Sequence, residues 1–287
     1  MKKIILILGL LLSIASYSQE NIICGVVKDI ETNDPIPYAN IGILNADIGT
    51  VSDKDGKFTL KIPHETNLNQ QLTFTYIGYA NQEFPLSSLV SKNNSIKLKK
   101  STTELKEVVI SLKRPKQKKI GKSGRGSGLY NRNFYTFYEK EVNDRLSKEM
   151  GMKLKLRKDC RIEDLNFYIT GNQYKSVKFR VYFYSIKNNE PDELLINNDI
   201  IFEIKDEFKG WFKVDLKSYD INIEKAQEDI AVTIQWLESE KVDEKSKYFS
   251  ISAGLSPLDT FYYRDKAMGK WKINNGNMSF YLNTMCY

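Results

Sequence analysis

The stretch Asp53-Lys54-Asp55-Gly56-Lys57-Phe58-Thr59-Leu60-Lys61-Ile62 decides the fold class. Phe58, Leu60 and Ile62 fall on alternate positions, with Thr59 and Lys61 between them. An extended chain with that spacing buries one face and wets the other. Asp53-Lys54-Asp55-Gly56 reads as a tight turn, with Gly56 free to take positive φ. The same grammar extends outward on both sides. Short runs at 22–29, 38–44, 49–52, 57–62, 71–77, 80–84 and 95–99 are separated by turn residues such as Glu31-Thr32-Asn33-Asp34-Pro35. Strands at roughly 8–12-residue spacing with turn signals between them predict a β-sandwich.

The pattern resumes beyond residue 130. Runs at 151–156, 161–169, 176–185, 200–204, 211–216, 230–237, 248–252, 260–263, 270–273 and 278–283 read as strands, and the best helix candidate, 137–150, is weak. The expected class is therefore all-β, with the second half a jelly-roll-like β-sandwich. Parity assigns faces. Val177, Phe179, Val181 and Phe183 point to a core, as do Leu165, Phe167 and Ile169, and Ile230, Val232, Ile234 and Trp236. Arg180, Tyr182 and Tyr184 then point outward with Lys178, and Thr233 and Gln235 do the same on their strand. Trp211 lies on the polar parity of its own strand. Such outward sets mix aromatic rings with hydrogen-bonding groups. That mixture suits sugar recognition, a protein interface or plain cross-strand packing on a wet face. Arg180, Tyr182, Tyr184 and Trp211 are the candidate ligand-binding residues. If the face is wet, replacing Arg180, Tyr182 or Tyr184 by Ala costs about 0.5 kcal/mol each, against about 3–5 kcal/mol for Phe179 or Phe183.

Residues 1–18 have the form of a secretory signal. Lys2 and Lys3 precede an apolar run from Ile4 to Ala15, and Ser16 and Ser18 place small residues before a cut at Gln19. The run is too short to span a bilayer, which needs roughly 20 apolar residues. The expected address is therefore exported, periplasmic or outer-membrane-associated, with no transmembrane segment after cleavage. Removing the two lysines lowers the formal charge from +7 by two. From Lys113 to Arg125 seven basic residues occur with no acid, whereas residues 190–245 carry 16 acids against 7 lysines. The basic, Gly-containing segment 113–129 reads first as a solvated linker. Its second reading is peripheral attachment to an anionic envelope surface. Nucleic acid is not an expected partner of an exported chain. Of the three cysteines, Cys160 and Cys286 can pair if an early strand and the last strand of the second sandwich are neighbours, but three buried free thiols is the simpler expectation.

Most catalytic chemistry is excluded by residue counts. One histidine, His64, and three cysteines cannot assemble a zinc site of the usual types. Asp53 and Asp55 do not begin a calcium loop, because glycine falls fourth rather than sixth and His64 occupies the twelfth position. Gly121-Lys122-Ser123 lacks the glycine five residues earlier that a phosphate loop needs, where Lys116 stands. Gly254-Leu255-Ser256-Pro257-Leu258 lacks the second glycine of a nucleophile elbow. Two carboxylates from 190–245 would suffice for a glycoside hydrolase, but no spacing brings any two of them together. No cofactor, no metal and no catalytic residue are expected.

Four motifs occur in order: Gly25-Val26-Val27-Lys28-Asp29, Asp34-Pro35-Ile36-Pro37-Tyr38-Ala39-Asn40-Ile41, Gly49-Thr50-Val51-Ser52-Asp53-Lys54-Asp55-Gly56-Lys57-Phe58 and Phe74-Thr75-Tyr76-Ile77-Gly78-Tyr79. Together they resemble the carboxypeptidase-regulatory-like domain of Bacteroidota envelope proteins, over residues 20–112. The resemblance implies a seven-stranded, transthyretin-like sandwich with no catalytic residues of its own. Thr103-Glu104-Leu105-Lys106-Glu107-Val108-Val109-Ile110 is similar to the segment that ends this domain in starch-utilisation-type TonB-dependent transporters. Only 175 residues follow Leu112, too few for a 22-stranded barrel at about 10 residues per strand. The expected organisation is a signal at 1–18, the regulatory-like sandwich at 20–112, the linker at 113–129 and the second sandwich at 130–287. The expected role is non-catalytic binding or assembly in the envelope, with an envelope protein or a glycan as partner. Carbohydrate binding by the second sandwich is the alternative, and a two-carboxylate hydrolase the lesser one.

Overall fold

The computed structural model describes residues 21–90, 92–101, 114–126, 128–135 and 141–287. The secretory signal, its cleavage point and the 103–110 segment lie outside them. Among the described residues the chain is almost entirely β. The first sandwich is built from β1 (Asn21–Asp29), β2 (Asn40–Ile43), β3 (Gly49–Val51), β4 (Lys57–Ile62), β5 (Gln71–Thr75), β6 (Gln82–Pro85), the single helical turn α1 (Leu86–Leu89) and β7 (Asn93–Leu98). One sheet has the order β4-β1-β7, with β1 and β7 parallel, and the other the order β3-β2-β5-β6. All seven expected strands are present. Phe58, Leu60 and Ile62 are buried with Ile23, Val27 and Phe74 between the sheets. The Asp53 turn carries the chain from one sheet to the other. Its carboxylate accepts from the Asp55 and Lys57 amides at 2.9 and 2.8 Å, and Gly56 has φ 72°. The carboxylate therefore closes a turn.

The second sandwich packs two antiparallel sheets. Its strands are β8 (Lys116–Gly121), β9 (Tyr130–Asn133), β10 (Glu149–Lys155), β11 (Cys160–Asn172), β12 (Tyr174–Lys187), β13 (Glu190–Leu194), β14 (Ile200–Lys205), β15 (Gly210–Asp215), β16 (Asn222–Ile223), β17 (Asp229–Lys241), β18 (Phe249–Gly254), β19 (Thr260–Arg264), β20 (Lys272–Asn275), β21 (Asn277–Met278) and β22 (Phe280–Cys286). One sheet runs β13-β12-β17-β10-β19-β20, with β14 also on β12. The other runs β21-β18-β11-β22-β8, with β15 and β16 on β11 and β9 on β18. The inward parity read from the sequence holds. Phe179, Phe183, Val232, Trp236, Phe167 and Ile169 share one core, and Trp236 meets Phe179 edge-on at 5.3 Å. Each such aromatic contributes about 1.5–3 kcal/mol through removal from water. At 142–145, within the weak helix candidate, a short 3₁₀ turn stands instead.

Two expectations change here. The basic segment expected as a solvated linker contains β8, which pairs with β22 in register from Lys116 opposite Cys286 to Gly121 opposite Tyr281. Composition misled because an edge strand needs little burial, and lysines on an edge discourage pairing with other chains. Lys116 to Lys119 are indeed exposed. Trypsin should therefore spare the bonds after Lys118 and Lys119 until the second sandwich unfolds. Early native cleavage there, read by mass spectrometry, would contradict the pairing. The cysteines also depart from the simplest expectation. Cys160 and Cys286 face each other across β11 and β22 and form a disulfide, leaving Cys24 free.

Candidate functional site

The polar side of β12 is dry. Arg180, Tyr182 and Tyr184 point away from the core of the second sandwich, as parity predicts, but they are 0%, 3% and 6% exposed. The expected wet stripe is instead covered by the first sandwich, whose β2 and flanking loops sit on it. Arg180 donates through Nη1 to the Tyr38 carbonyl at 2.8 Å. Its Nε and Nη2 bind the two Asp199 oxygens, and its guanidinium lies 5.3 Å from the Tyr76 ring. Tyr76 donates to the same Asp199 at 2.7 Å. Asn40 donates to the Tyr182 hydroxyl at 2.9 Å and accepts from Gln235 Nε2 at 2.8 Å. Tyr38 donates to Glu238 at 2.6 Å, and Lys178 donates to both. Tyr38 has φ 56°, a left-handed backbone conformation uncommon for an aromatic residue, and it is held there by its hydroxyl and by its carbonyl.

The electrostatics follow from this packing. Burial, reinforced by the acceptor carboxylates, pushes the Tyr38 and Tyr76 hydroxyls above the usual tyrosine range. Burial raises Tyr184 well above it, with Glu149 adding to the effect. At Glu238 burial favours the neutral acid, but hydrogen bonds from Tyr38 and Lys178 outweigh it and hold the carboxyl below the usual range. A second cluster lies alongside. Arg264 donates to Glu149 at 2.9 and 2.6 Å and to the Tyr184 hydroxyl at 3.2 Å, and stacks 4.5 Å from Trp271. Backbones also meet closely. A Cβ on Gly42 would stand 2.2 Å from the Ala267 carbonyl oxygen, and one on Gly49 2.6 Å from it. Glycine at these two positions lets the sandwiches touch.

Where the sandwiches part, the seam opens into a cleft of about 530 Å³. Tyr182, Tyr184 and Arg264 line it, with Tyr76 and Tyr79 from the first sandwich and Trp271 from the second. Tyr79 donates to Asp29, and burial followed by this bond raises its hydroxyl to about 12. Of the predicted site residues, Arg180, Tyr182 and Tyr184 are brought together, and Trp211 is not. Trp211 lies on the outer face of the other sheet, 37% exposed. It meets Tyr168 and Tyr281 edge-on at 5.5 and 5.3 Å. Arg125 covers the Tyr168 ring at 4.8 Å and Lys119 the Tyr281 ring at 5.3 Å. Sequence reading missed Asn40, Tyr76, Asp199 and Tyr281. Asn40 carried a signal, a polar side chain in an apolar strand, whereas Asp199 lies in a loop with no pattern.

A family model, CarboxypepD_reg-like domain, matches residues 23–110. This range takes in the seven strands of the first sandwich except the first two residues of β1. Residues 23–110 form a CarboxypepD_reg-like domain. TonB-dependent receptor SusC of Bacteroides thetaiotaomicron is 33% identical over 107 residues, 37% of this chain and 10% of that protein. TonB-dependent receptor P3 of Formosa agariphila is 29% identical over 110 residues, 38% of this chain and again 10% of the relative. The chain thus spans about a tenth of the length of these curated relatives. A chain from the structure of infectious bursal disease virus Gx strain aligns over 94% of this one and 68% of that one at TM-score 0.26 and 10% identity, too low to bear on the fold. The face by which the CarboxypepD_reg-like domain docks includes Tyr38 and Asn40, residues of the second family motif. Among the described residues no helix is long and apolar enough to cross a membrane.

Proposed function

We propose that the chain is an exported, non-catalytic envelope protein that acts in binding or assembly, with the CarboxypepD_reg-like domain and the second sandwich working as one rigid unit. The buried seam of Arg180, Asp199, Tyr38, Asn40 and Gln235 carries this reading. It uses one face of each sandwich for internal docking and leaves the outer faces to a partner. Asp199 and Glu238, the seam acids, are both held by hydrogen-bond donors, which leaves neither free as a general base. Sequence likeness to TonB-dependent receptors supports an envelope address. The protein is a binder rather than a transporter in this reading.

Carbohydrate recognition is the second reading, and the exposed ring of Trp211 between Tyr168 and Tyr281 favours it. Flat aromatic rings flanked by cations and amides can stack on sugar rings and bind their hydroxyls. One variant separates the two. Trp211→Ala should leave the fold intact, since it removes two edge-on ring contacts worth about 0.5–1.5 kcal/mol each and no part of either core. In the assembly reading, pull-down from envelope extracts recovers a defined protein partner with the full chain, and affinity gels cast with envelope glycans do not retard it. In the sugar reading the gels retard the wild type and Trp211→Ala runs free. Retention of neither partner nor glycan by the wild type would sink both.

A further inference from the structure

A second cleft, of about 700 Å³, opens on the second sandwich where β8 on the edge of one sheet approaches β10 of the other, and its lining shares no residue with the seam cleft. Its floor is apolar, formed by Met152, Leu154 and Phe280. Its lining carries seven basic side chains against two carboxylates. Both carboxylates are already engaged. Asp229 lies 2.8 Å from Lys153 Nζ. Asp259 accepts from Asn277 at 2.9 Å, and Lys122 donates to that same amide at 2.7 Å. Lys118, Lys155, Arg157 and Lys158 are exposed and have no acidic partner among the described residues.

We propose that this cleft binds a multiply charged phosphoester. Four unneutralised cations around one concavity repel one another, and a concave low-dielectric wall concentrates their field on whatever enters. A ligand carrying several negative charges relieves that repulsion at every cation at once. Phosphate suits the donor set, because Arg157 can offer paired N–H groups and the three lysines compact point charges to its oxygens. The volume lies within the range of small-ligand sites, about 300–1,000 Å³. The only aromatic ring in the lining, Phe280, is fully buried, so the cleft offers no platform for stacked bases. The basic run from Lys113 to Arg125 thereby acquires a purpose. Within it, the edge strand β8 carries Lys118 to the rim, and Lys122 follows directly after the strand.

The test uses the full chain and two probes. Inorganic tripolyphosphate, titrated by calorimetry, presents the multiply charged phosphate groups of a soluble ligand. Phosphatidylcholine vesicles with and without cardiolipin, read by co-sedimentation, represent a lipid headgroup. The double variant Lys155→Glu/Lys158→Glu is compared with Lys97→Glu/Lys99→Glu, which makes the same charge change on an exposed edge of the first sandwich. The cleft variant should weaken binding about tenfold or more and the control about twofold or less, since exposed ionic contacts are worth a few tenths to one kcal/mol each. Selective loss with tripolyphosphate assigns a soluble ligand, and selective loss with cardiolipin vesicles alone assigns a headgroup. Binding of neither probe by the wild type, or equal weakening in both variants, overturns the proposal. All four substituted lysines are exposed, so matched thermal melts will confirm that the variants fold.

Discussion

Arg180→Met should destabilise the protein by about 3–5 kcal/mol, the usual cost of removing one partner from a buried ion pair. The guanidinium is fully buried, and its loss leaves the Tyr38 carbonyl and Asp199 Oδ1 without their donor and Asp199 Oδ2 with Tyr76 alone. Methionine fills much of the volume, so the loss reports hydrogen bonds and charge more than a cavity. Arg180→Lys should recover little, because an ammonium cannot reach the carbonyl and both carboxylate oxygens in one plane. The penalty should match that of Phe179→Ala, about 3–5 kcal/mol for a buried ring. Urea unfolding of both variants measures the ranking. A cost near 0.5 kcal/mol at Arg180 would mean that the face is open to water in solution and that the sandwiches do not dock there.

That residue also marks where sequence reading stops. Alternation located most of the longer strands and the core side of β11, β12 and β17, but not β8, β9, β13 or β16. Phe179 and Phe183 went to the core, and Arg180, Tyr182 and Tyr184 to the other side, because a period of two is a local property of the backbone. What covers the other side is not local. Asn40 and Tyr38 lie 142 residues from their partners Tyr182 and Arg180, and no pattern within β12 announces them. The composition of the stripe did hold a hint. Arginine and tyrosine are enriched at protein interfaces, and this interface proved to be internal. The same limit explains β8. Its lysines read as solvated, which they are, while its pairing with β22 depends on a strand more than 150 residues later. The CarboxypepD_reg-like motifs were legible because turns such as Asp53 to Gly56 are set by adjacent residues. The basic cleft was not, since it needs two sheets to meet.

Loss of the Cys160–Cys286 disulfide should cost the second sandwich about 4–5 kcal/mol. The bond closes a loop with a sequence separation of 126, and cross-linking a loop of about 100 residues removes that much chain entropy from the unfolded state. The loop spans β11 to β22, so the pairings among those strands form inside it, while β8, β9 and β10 pair with it from outside. In the native state the two cysteines are already register partners on adjacent strands, and the bond adds little there that the ladder does not supply. Its effect falls on the unfolded chain. Two measurements check this. Thiol counting in denaturant without reductant should find Cys24 reactive and Cys160 and Cys286 silent. Urea unfolding of Cys160→Ser/Cys286→Ser, or of the reduced wild type, should show a midpoint well below that of the oxidised protein. Equal midpoints would mean either that the unfolded chain is compact enough to lose little by cross-linking or that the bond is not formed, and the thiol count tells these apart. A bond of this kind persists in oxidising compartments. Its presence in protein taken from the envelope would therefore support the export reading from a part of the chain independent of the leader.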